Sequence, residues 1–424
     1  MLSRKWARPL TLVAGLVLAV SACGGGGGQA EPKAGGGDKG KGDGALKLGY
    51  VLPETGELAF LGPPQIKSAE YAISQINKAG GVLGKDVPAI VAGDEAADTA
   101  VANQSADRVL AADVDAIVGA AASGMTLGII DKVTGAGVVE CSASNTAPNL
   151  TDYDDGGFYF RTAPSDSLQG PILAETVVAD GHSNVAVVAR ADDYGKGLAD
   201  ATAQSLEEAG ATVAVKSTYD PNAQNFDSVV QKISGAKPDA TVLIAFEEGT
   251  QILQGMIEAG VGPDKIGVYG ADGLRSEELG KLVSPDDPGI IAGMKGTAPA
   301  SAENQEYTAG LKEFAPDLKE LQFAPQSFDC VNIIALAAEQ AGSDDPNVFK
   351  DEIVGVTRDG EECTSFAQCR DLIKDDKDID YQGVSGPLDF IPQGEPGQAR
   401  IEVYGYNDKG QLKTVDTVLS RPAS

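Results

Sequence analysis

Two polar side chains follow predicted strands at points where a small charged solute could bind. Ser123 comes after the apolar segment 114–118 and opens a predicted helix, so a carboxylate there would meet its hydroxyl and one or two free backbone N–H groups. Asp272 lies within residues 270–273, whose small neighbours leave its carboxylate open to an ammonium group. Each residue also has a plainer interpretation, because Ser123 could act only as a helix N-cap and Asp272 only as a solvated loop residue.

Two further groups of residues follow other predicted strands. Ser144, Asn145 and Thr146 are consecutive polar side chains that come after a predicted buried strand. Tyr194 and Phe246 follow strands further along the chain, where the ring of Tyr194 could lie over a bound solute. Because ligands of parallel α/β sheets bind at the carboxyl ends of the strands, these loops predict one ligand site. The polar run by itself is also typical of an ordinary turn.

Residues that would indicate catalysis or a resident cofactor are scarce. His182 is the only histidine, which excludes multi-histidine metal sites. The sequence has no phosphate-binding loop, no dinucleotide glycine fingerprint and no serine nucleophile elbow. We therefore predict a binding protein with no metal and no cofactor rather than an enzyme. An enzyme would need a general base in the site, and Glu247 and Glu248 are the candidates for that role.

The elements that position these loops alternate between short apolar strands and longer helices, in two consecutive runs. This alternation is typical of βαβ units, so the sequence predicts two α/β lobes, each with a parallel sheet. A helix at 326–340 and a hairpin of strands 399–406 and 411–418 follow. The predicted strands of the two runs are 46–52, 87–91, 114–118, 138–141, 185–189, 212–216, 240–245 and 266–269, and the predicted helices are 65–78, 100–111, 125–135, 166–179, 197–209, 226–233 and 250–259.

The N-terminus indicates export. Basic residues precede an apolar run at 10–20 that is too short to span a membrane, and small residues then lead to Cys23. The pattern resembles a bacterial lipobox, which implies a signal peptide at 1–22 and a lipid on Cys23; the alternative is a plain secretory signal with an incidental cysteine. Residues 23–44, mostly glycine, lysine, aspartate and alanine, are predicted to form a flexible linker at the outer face of the cell membrane.

The net charge limits the class of partner, and the other cysteines indicate the compartment. A net charge of −29 repels nucleic acid, so we predict no nucleic-acid partner. Cys363 and Cys369 lie six residues apart and are predicted to close a small loop in an exported protein. Cys141 and Cys330 could either pair or remain buried thiols.

Several motifs, in this order, resemble the leucine/isoleucine/valine-binding protein family over residues 46–418. These are type I periplasmic binding proteins that serve branched-chain amino-acid ABC importers. The resemblance implies two doubly wound parallel-sheet lobes joined by three crossover strands. The motifs are INKAGG at 76–81, GAAASGMT at 119–126, SNTAPNLT at 144–151, FRTAPSDSLQG at 160–170, DYGKG at 193–197 and SFD at 327–329.

The resemblance also implies a role for each candidate. Ser123 and Thr146 match positions that hold an α-carboxylate, while Ser144, through its carbonyl, and Asp272 match positions that take the α-ammonium. Tyr194 and Phe246 match aromatic positions of the second lobe. Several residues depart from the pattern. Asp272 replaces a common glutamate, and Leu61 stands where an aromatic ring often covers the ligand side chain. Ala97 and Ala122 replace a disulfide of some members, and Met125 replaces a small polar residue.

The predicted boundaries and partners follow from the same resemblance. The first lobe takes residues 45–162 and 297–384, and the second takes 163–296 and 385–424. The expected partners are an amino-acid-like ligand and the permease and ATPase of an ABC importer, and the tether favours a monomer. The alternatives are a receptor for an amide, urea or aromatic acid, and a sensory ligand-binding protein.

Overall fold

The computed structural model describes residues 42–300 and 304–420 of the 424-residue chain. The predicted signal peptide, Cys23 and nearly all of the linker lie outside the described residues. Within the described ranges, no helix combines the length and the apolar character needed to cross a bilayer.

Strands and helices alternate through most of the described chain. The strands are β1 Leu48–Val51, β2 Ala116–Gly119, β3 Val139–Ser142, β4 Tyr159–Arg161, β5 Asn184–Arg190, β6 Thr212–Tyr219, β7 Ala240–Ile244, β8 Gly267–Gly270, β9 Lys295–Pro299, β10 Glu361–Cys363, β11 Ile379–Tyr381, β12 Ala399–Tyr406 and β13 Leu412–Ser420. The helices are α1 Gly62–Lys78, α2 Thr99–Leu110, α3 Ser123–Gly135, α4 Asp166–Ala179, α5 Asp193–Glu208, α6 Asp227–Ala236, α7 Gly249–Glu258, α8 Leu279–Val283, α9 Gln305–Phe314, α10 Ala324–Ala341, α11 Pro346–Phe349 and α12 Phe366–Lys374.

The first sheet is parallel throughout and has the order β1-β2-β3-β4. All four strands are buried, as expected of a parallel sheet that is covered on both faces. The predicted strand at 87–91 was wrong. Only Val91 of this segment makes an isolated bridge to β1, at Gly49, because the Asn77 side chain binds the backbone N–H and carbonyl of Val87 instead.

The second sheet has seven strands in the order β13-β12-β9-β8-β7-β5-β6. The strands from β9 to β6 are parallel, whereas the predicted C-terminal hairpin adds β12 and β13 antiparallel at one edge. The predicted α/β class with two doubly wound sheets is therefore confirmed, although the second sheet is mixed.

The long helix α10 belongs to the core of the first sheet. It packs against α1, and its apolar residues share one buried cluster with β1, β2 and β3. Pro325 lies in its first turn, and Gly342 ends it with φ +62°, a left-handed conformation that favours glycine. A disulfide between Cys141 on β3 and Cys330 joins this helix to the sheet, and a second disulfide joins Cys363 to Cys369.

The two disulfides close loops of very different length, so their removal should destabilise the protein unequally. The Cys141–Cys330 bond spans 189 residues and the Cys363–Cys369 bond only 6. The entropy of loop closure gives about 5 kcal/mol for the long loop and about 2 kcal/mol for the short one. All four side chains are fully buried, so truncation to alanine costs similar packing in both pairs. Urea unfolding of the two double-alanine variants measures the difference, and equal losses would contradict it.

Candidate functional site

A narrow cavity lies among loops that follow strands of both sheets. The space within it is about 20 Å³, enough for about one water molecule, so a larger solute would need its walls to move apart. Six of the seven predicted ligand-binding residues line it. The residues that line the cavity are Leu58, Leu61, Ala121, Ala122, Ser123, Ser144, Thr146, Tyr194, Phe246, Asp272, Gly273 and Phe323.

The loops after β2 and β3 supply the neutral polar wall of the cavity. Ser123 is the first residue of α3 and not its N-cap, which is Ala122. The Ser123 hydroxyl oxygen accepts hydrogen bonds from the backbone N–H groups of Thr146 and Ala147, at 3.3 and 3.2 Å. Both lone pairs of the hydroxyl are thereby used and its proton remains available to an acceptor. The buried Glu95 carboxyl accepts the N–H groups of Ala121 and Ala122, just before α3. The N–H groups of Ser123 and Gly124, the first two residues of the helix, have no partner within it and favour an anion beside Ser123.

The other hydroxyls of this wall are held by their surroundings. Ser144 donates towards Gln65 Oε1 at 3.0 Å and the carbonyl of Ala121 at 3.2 Å. Thr146 donates to Asp166 Oδ2 at 3.0 Å. Among the described residues that line the cavity, none is a lysine or arginine, so an anion here would be bound by neutral dipoles alone.

Asp272 supplies a negative charge on the opposite wall. It lies just after β8 and is only 4% exposed, which excludes the interpretation as a solvated loop residue. Its Oδ1 accepts hydrogen bonds from the Tyr194 hydroxyl at 2.9 Å and from Gln169 Nε2 at 2.8 Å. Both donors are neutral. Burial raises the pKa of Asp272 from 3.8 to about 6, and these two hydrogen bonds oppose the rise.

A second buried carboxyl group belongs to the same network. Asp166 is the first residue of α4 and is fully buried; among the described residues, its Oδ1 has no hydrogen-bond partner. Burial, and then the nearby charge of Asp272, raise the pKa of Asp166 well above its ordinary value. Two buried carboxyl groups in one network disfavour a double negative charge, so the arrangement favours a proton on Asp166 and the charge on Asp272. Thr146, which contacts Asp166, connects the two polar walls.

Aromatic and aliphatic side chains complete the cavity. Tyr194 and Phe246 are stacked, with ring centroids 5.3 Å apart and planes at 16°. Tyr194 reaches the cavity because Asp192 caps α5 and starts that helix at residue 193, earlier than the predicted 197. Gly273 allows the Asp272 loop to approach Phe246, since a Cβ there would lie 2.6 Å from the Phe246 ring.

Phe323 is a cavity residue that the sequence did not reveal. It directly precedes α10, has φ +60°, and lies with Leu58 and Leu61 around the cavity. It brings an aromatic ring to a site where Leu61 offers none. The loop before α10 follows no predicted strand. A search for residues that follow strands, which led to the other candidates, therefore could not find Phe323.

Asn145 is the one predicted ligand-binding residue that does not line the cavity. Its Nδ2 donates to Thr126 Oγ1 at 2.7 Å, and its Oδ1 accepts from the Tyr159 hydroxyl at 2.6 Å. Both ends of the amide are thus used within the first-sheet core, where they support the loop, and a ligand role for Asn145 stays a prediction.

The candidates for a general base also lie outside the cavity. Glu248 is buried but bound by Arg190 and by the Tyr219 hydroxyl, while Glu247 is exposed. His182 lies beside Tyr269 and Asp239 instead. Within the described ranges, no cluster of three or more His, Cys, Asp or Glu residues could hold a metal ion.

The sequence of this chain is similar to those of known substrate-binding proteins. The family described as periplasmic binding protein matches residues 45–410. The leucine-, isoleucine-, valine-, threonine- and alanine-binding protein of Pseudomonas aeruginosa is 27% identical over 306 residues, which is 71% of this chain and 80% of that protein. The chemotactic signal transduction system substrate-binding protein BasB of Halobacterium salinarum is 28% identical over 367 residues, covering 83% of this chain and 84% of that protein.

A solved structure shares the fold. The branched-chain amino acid transporter substrate-binding protein LivJ of Streptococcus pneumoniae, in complex with isoleucine, superposes with a TM-score of 0.72. The match covers 89% of this chain and all of that one at 23% identity.

The buried charge of Asp272 should lower the stability of the ligand-free protein. Its pKa rises from 3.8 in the unfolded chain to about 6 in the folded one, so the folded state binds more protons between these values. Stability contributed through this group is therefore lost as the pH rises from about 4 to about 6, by roughly 3 kcal/mol.

Asp272→Asn keeps the acceptor for Tyr194 and removes the charge. We expect this variant to be more stable than the wild type at pH 7.5 and similar to it near pH 4. Urea unfolding of both ligand-free proteins across this range measures the difference. A variant less stable than the wild type at pH 7.5 would contradict the view that the buried charge of Asp272 destabilises the folded protein.

Proposed function

The chain belongs to the periplasmic binding protein family, and on this premise we propose that it is the extracytoplasmic receptor of an ABC importer for an amino acid with an apolar side chain. The observation that carries the proposal is the buried carboxylate of Asp272, which faces neutral hydroxyls and the start of α3 across one cavity. An amino acid offers one positive and one negative group at the spacing of a single carbon atom. Each group then has a matching wall.

The α-ammonium group would bind at Asp272. The contacts that Asp272 makes to Tyr194 and Gln169 leave its charge without compensation, and an ammonium group supplies the missing cation. A buried ion is tolerated only with a partner in good geometry. The carbonyl of Ser144 is proposed as a second acceptor, as the family resemblance implies.

The α-carboxylate would bind at the opposite wall. Ser123 can donate its proton because its lone pairs are occupied, and the first N–H groups of α3 add further donors. The hydroxyl of Thr146, which the resemblance places at the carboxylate, can turn from Asp166 to the ligand. The side chain would then contact Leu58, Leu61 and Phe323, which favours an apolar group of modest size.

The other solutes that the sequence left open fit less well. An aromatic acid would place its carboxylate in a cavity that already holds the charge of Asp272. An amide or urea is neutral and would leave that charge unpaired. An amino acid, in contrast, brings an ammonium group that compensates the charge of Asp272.

Binding is proposed to close two lobes on the ligand. The first lobe would comprise 45–162 and 297–384, the second 163–296 and 385–424, with crossings near residues 161–164, 296–298 and 383–387. In the closed state both charges of the ligand become buried with partners, so occupancy favours closure. The closed receptor would deliver the amino acid to the permease and its ATPase.

The location follows the family, which acts outside the cytoplasm, and a lipid on Cys23 is our proposal for how the receptor stays at the membrane. Two disulfides suit an oxidising compartment. A monomer on a flexible tether is the proposed form. The Halobacterium relative carries a chemotactic name, so signalling is the second candidate function.

Amino acids should stabilise the purified protein against heat. A ligand at about 100 times its dissociation constant adds roughly 2.7 kcal/mol, which shifts the midpoint by a few degrees. Leucine, isoleucine, valine or a neighbour should give the largest shift, and the same shift should be lost in Asp272→Asn, because an unpaired ammonium costs roughly 3–5 kcal/mol. Asp264→Asn, at an exposed position, is the matched control. A shift with aromatic acids or amides and none with any amino acid would refute the proposal.

The affinity should also depend on pH through Asp272. An ammonium group binds the ionised carboxylate, so below the pKa of about 6 the ligand must displace a proton. We expect the dissociation constant to rise about tenfold for each pH unit below that value. Calorimetric titrations from pH 8 to pH 4.5 measure the slope, and an affinity that is constant over this range would contradict the role of Asp272.

A further inference from the structure

Two arginines next to the cavity share an unusual arrangement of acidic partners. Arg190, at the end of β5, has Nε on Asp192, Nη1 on Glu248 at 2.9 Å and Nη2 on Glu57 at 3.2 Å. Its side chain is 6% exposed. Each guanidinium nitrogen therefore meets a different carboxylate.

The partners of Arg190 come from both sides of the cavity. Asp192 and Glu248 follow strands of the second sheet, whereas Glu57 lies in the turn between β1 and α1 of the first. Asp192 also caps α5 through Gly195 N–H, and Glu248 also accepts from the Tyr219 hydroxyl. Asp192 and Glu248 thus hold Arg190 in place on the second-sheet side of the cavity, and the contact with Glu57 joins it to the first-sheet side.

Arg275 repeats this pattern on another side of the cavity. Its Nε binds Glu402 on β12 at 2.9 Å, and its Nη1 reaches Glu320 at 3.4 Å, in the loop between α9 and α10. Glu320 Oε1 also accepts the N–H groups of Leu321 and Gln322, which fixes its position.

The Glu57–Arg190 and Glu320–Arg275 contacts both involve a glutamate that is close in sequence to a residue lining the cavity. Glu57 directly precedes Leu58, and Glu320 lies three residues before Phe323. The Arg190 guanidinium lies 3.6 Å from the centroid of Phe246, which stacks on Tyr194. A chain of contacts therefore runs from Glu57 through these rings to Asp272.

We propose that Glu57–Arg190 and Glu320–Arg275 are two latches that hold the receptor closed and set how long the ligand stays bound. The proposal rests on the proposed opening and closing of the two lobes. In the open state each arginine keeps its own-side acids, so only one ion pair per latch is broken. Glu57 is 33% exposed and Glu320 17%, so water can replace the lost contacts and the latches remain reversible.

The latches act on residence time and not on ligand choice, because neither glutamate lines the cavity. Glu57→Gln and Glu320→Gln remove one charge each and keep an oxygen acceptor. Each should speed the release of a prebound labelled amino acid about two- to fivefold, and the double variant should multiply the two effects. The rank order of amino acids should not change. Glu361→Gln breaks the exposed pair with Lys377, far along the chain from the cavity loops, and should leave release unchanged.

A second readout separates the latches from the identity of the ligand. Spin labels on introduced cysteines, one at each proposed lobe, report the distribution of distances between them in the purified protein. Fewer closed molecules in the double variant, with or without ligand, would support the latches even if no amino acid binds and the receptor proposal fails. Unchanged release together with an unchanged distance distribution, or a changed rank order of ligands, would overturn the latches while leaving amino-acid binding by the wild type intact.

Discussion

The site depends on one unfavourable interaction, the burial of the Asp272 carboxylate beside neutral donors. Tyr194 and Gln169 orient the group but supply no opposite charge, and the nearby charge of Asp272 raises the pKa of the buried Asp166 further. A buried charge of this kind persists only where the fold over-determines its position. Strand ends of the second sheet, the cap of α5 and the close approach at Gly273 provide that constraint.

The buried charge of Asp272 also explains where neutral and charged groups lie around the cavity. The first-sheet wall offers hydroxyls and helix N–H groups, whose dipoles cost less to bury than a charge. The strong charges, Arg190 and Arg275, are placed outside the cavity, where they contact acids of both sides. Ligand compensation and the latches would then act together: the ligand removes the electrostatic penalty at the centre, and the arginines stabilise the closed arrangement at its edges.

Much of this arrangement could be predicted from the sequence, because loops after parallel strands meet at one edge of a sheet. That rule found Ser123, Thr146 and Asp272 from strand ends alone. It also selected Asn145, whose amide turns into the core, since spacing does not tell which of three consecutive side chains faces the site. Phe323 and the Glu57–Arg190 contact were missed because they depend on loops brought together only by the tertiary fold. The strand predicted at 87–91 was wrong because the Asn77 side chain, and not β1, binds the backbone of Val87.

The central claim, that Asp272 exists to pair with an ammonium group, is tested most directly by removing that group from the ligand. Calorimetry on the wild-type protein would compare the tightest-binding amino acid with the carboxylic acid that lacks only its ammonium. The account predicts that the acid binds at least about 100-fold more weakly, because Asp272 is left unpaired and faces a second anion. Equal affinity for the two compounds would contradict it and would point to a receptor for organic acids.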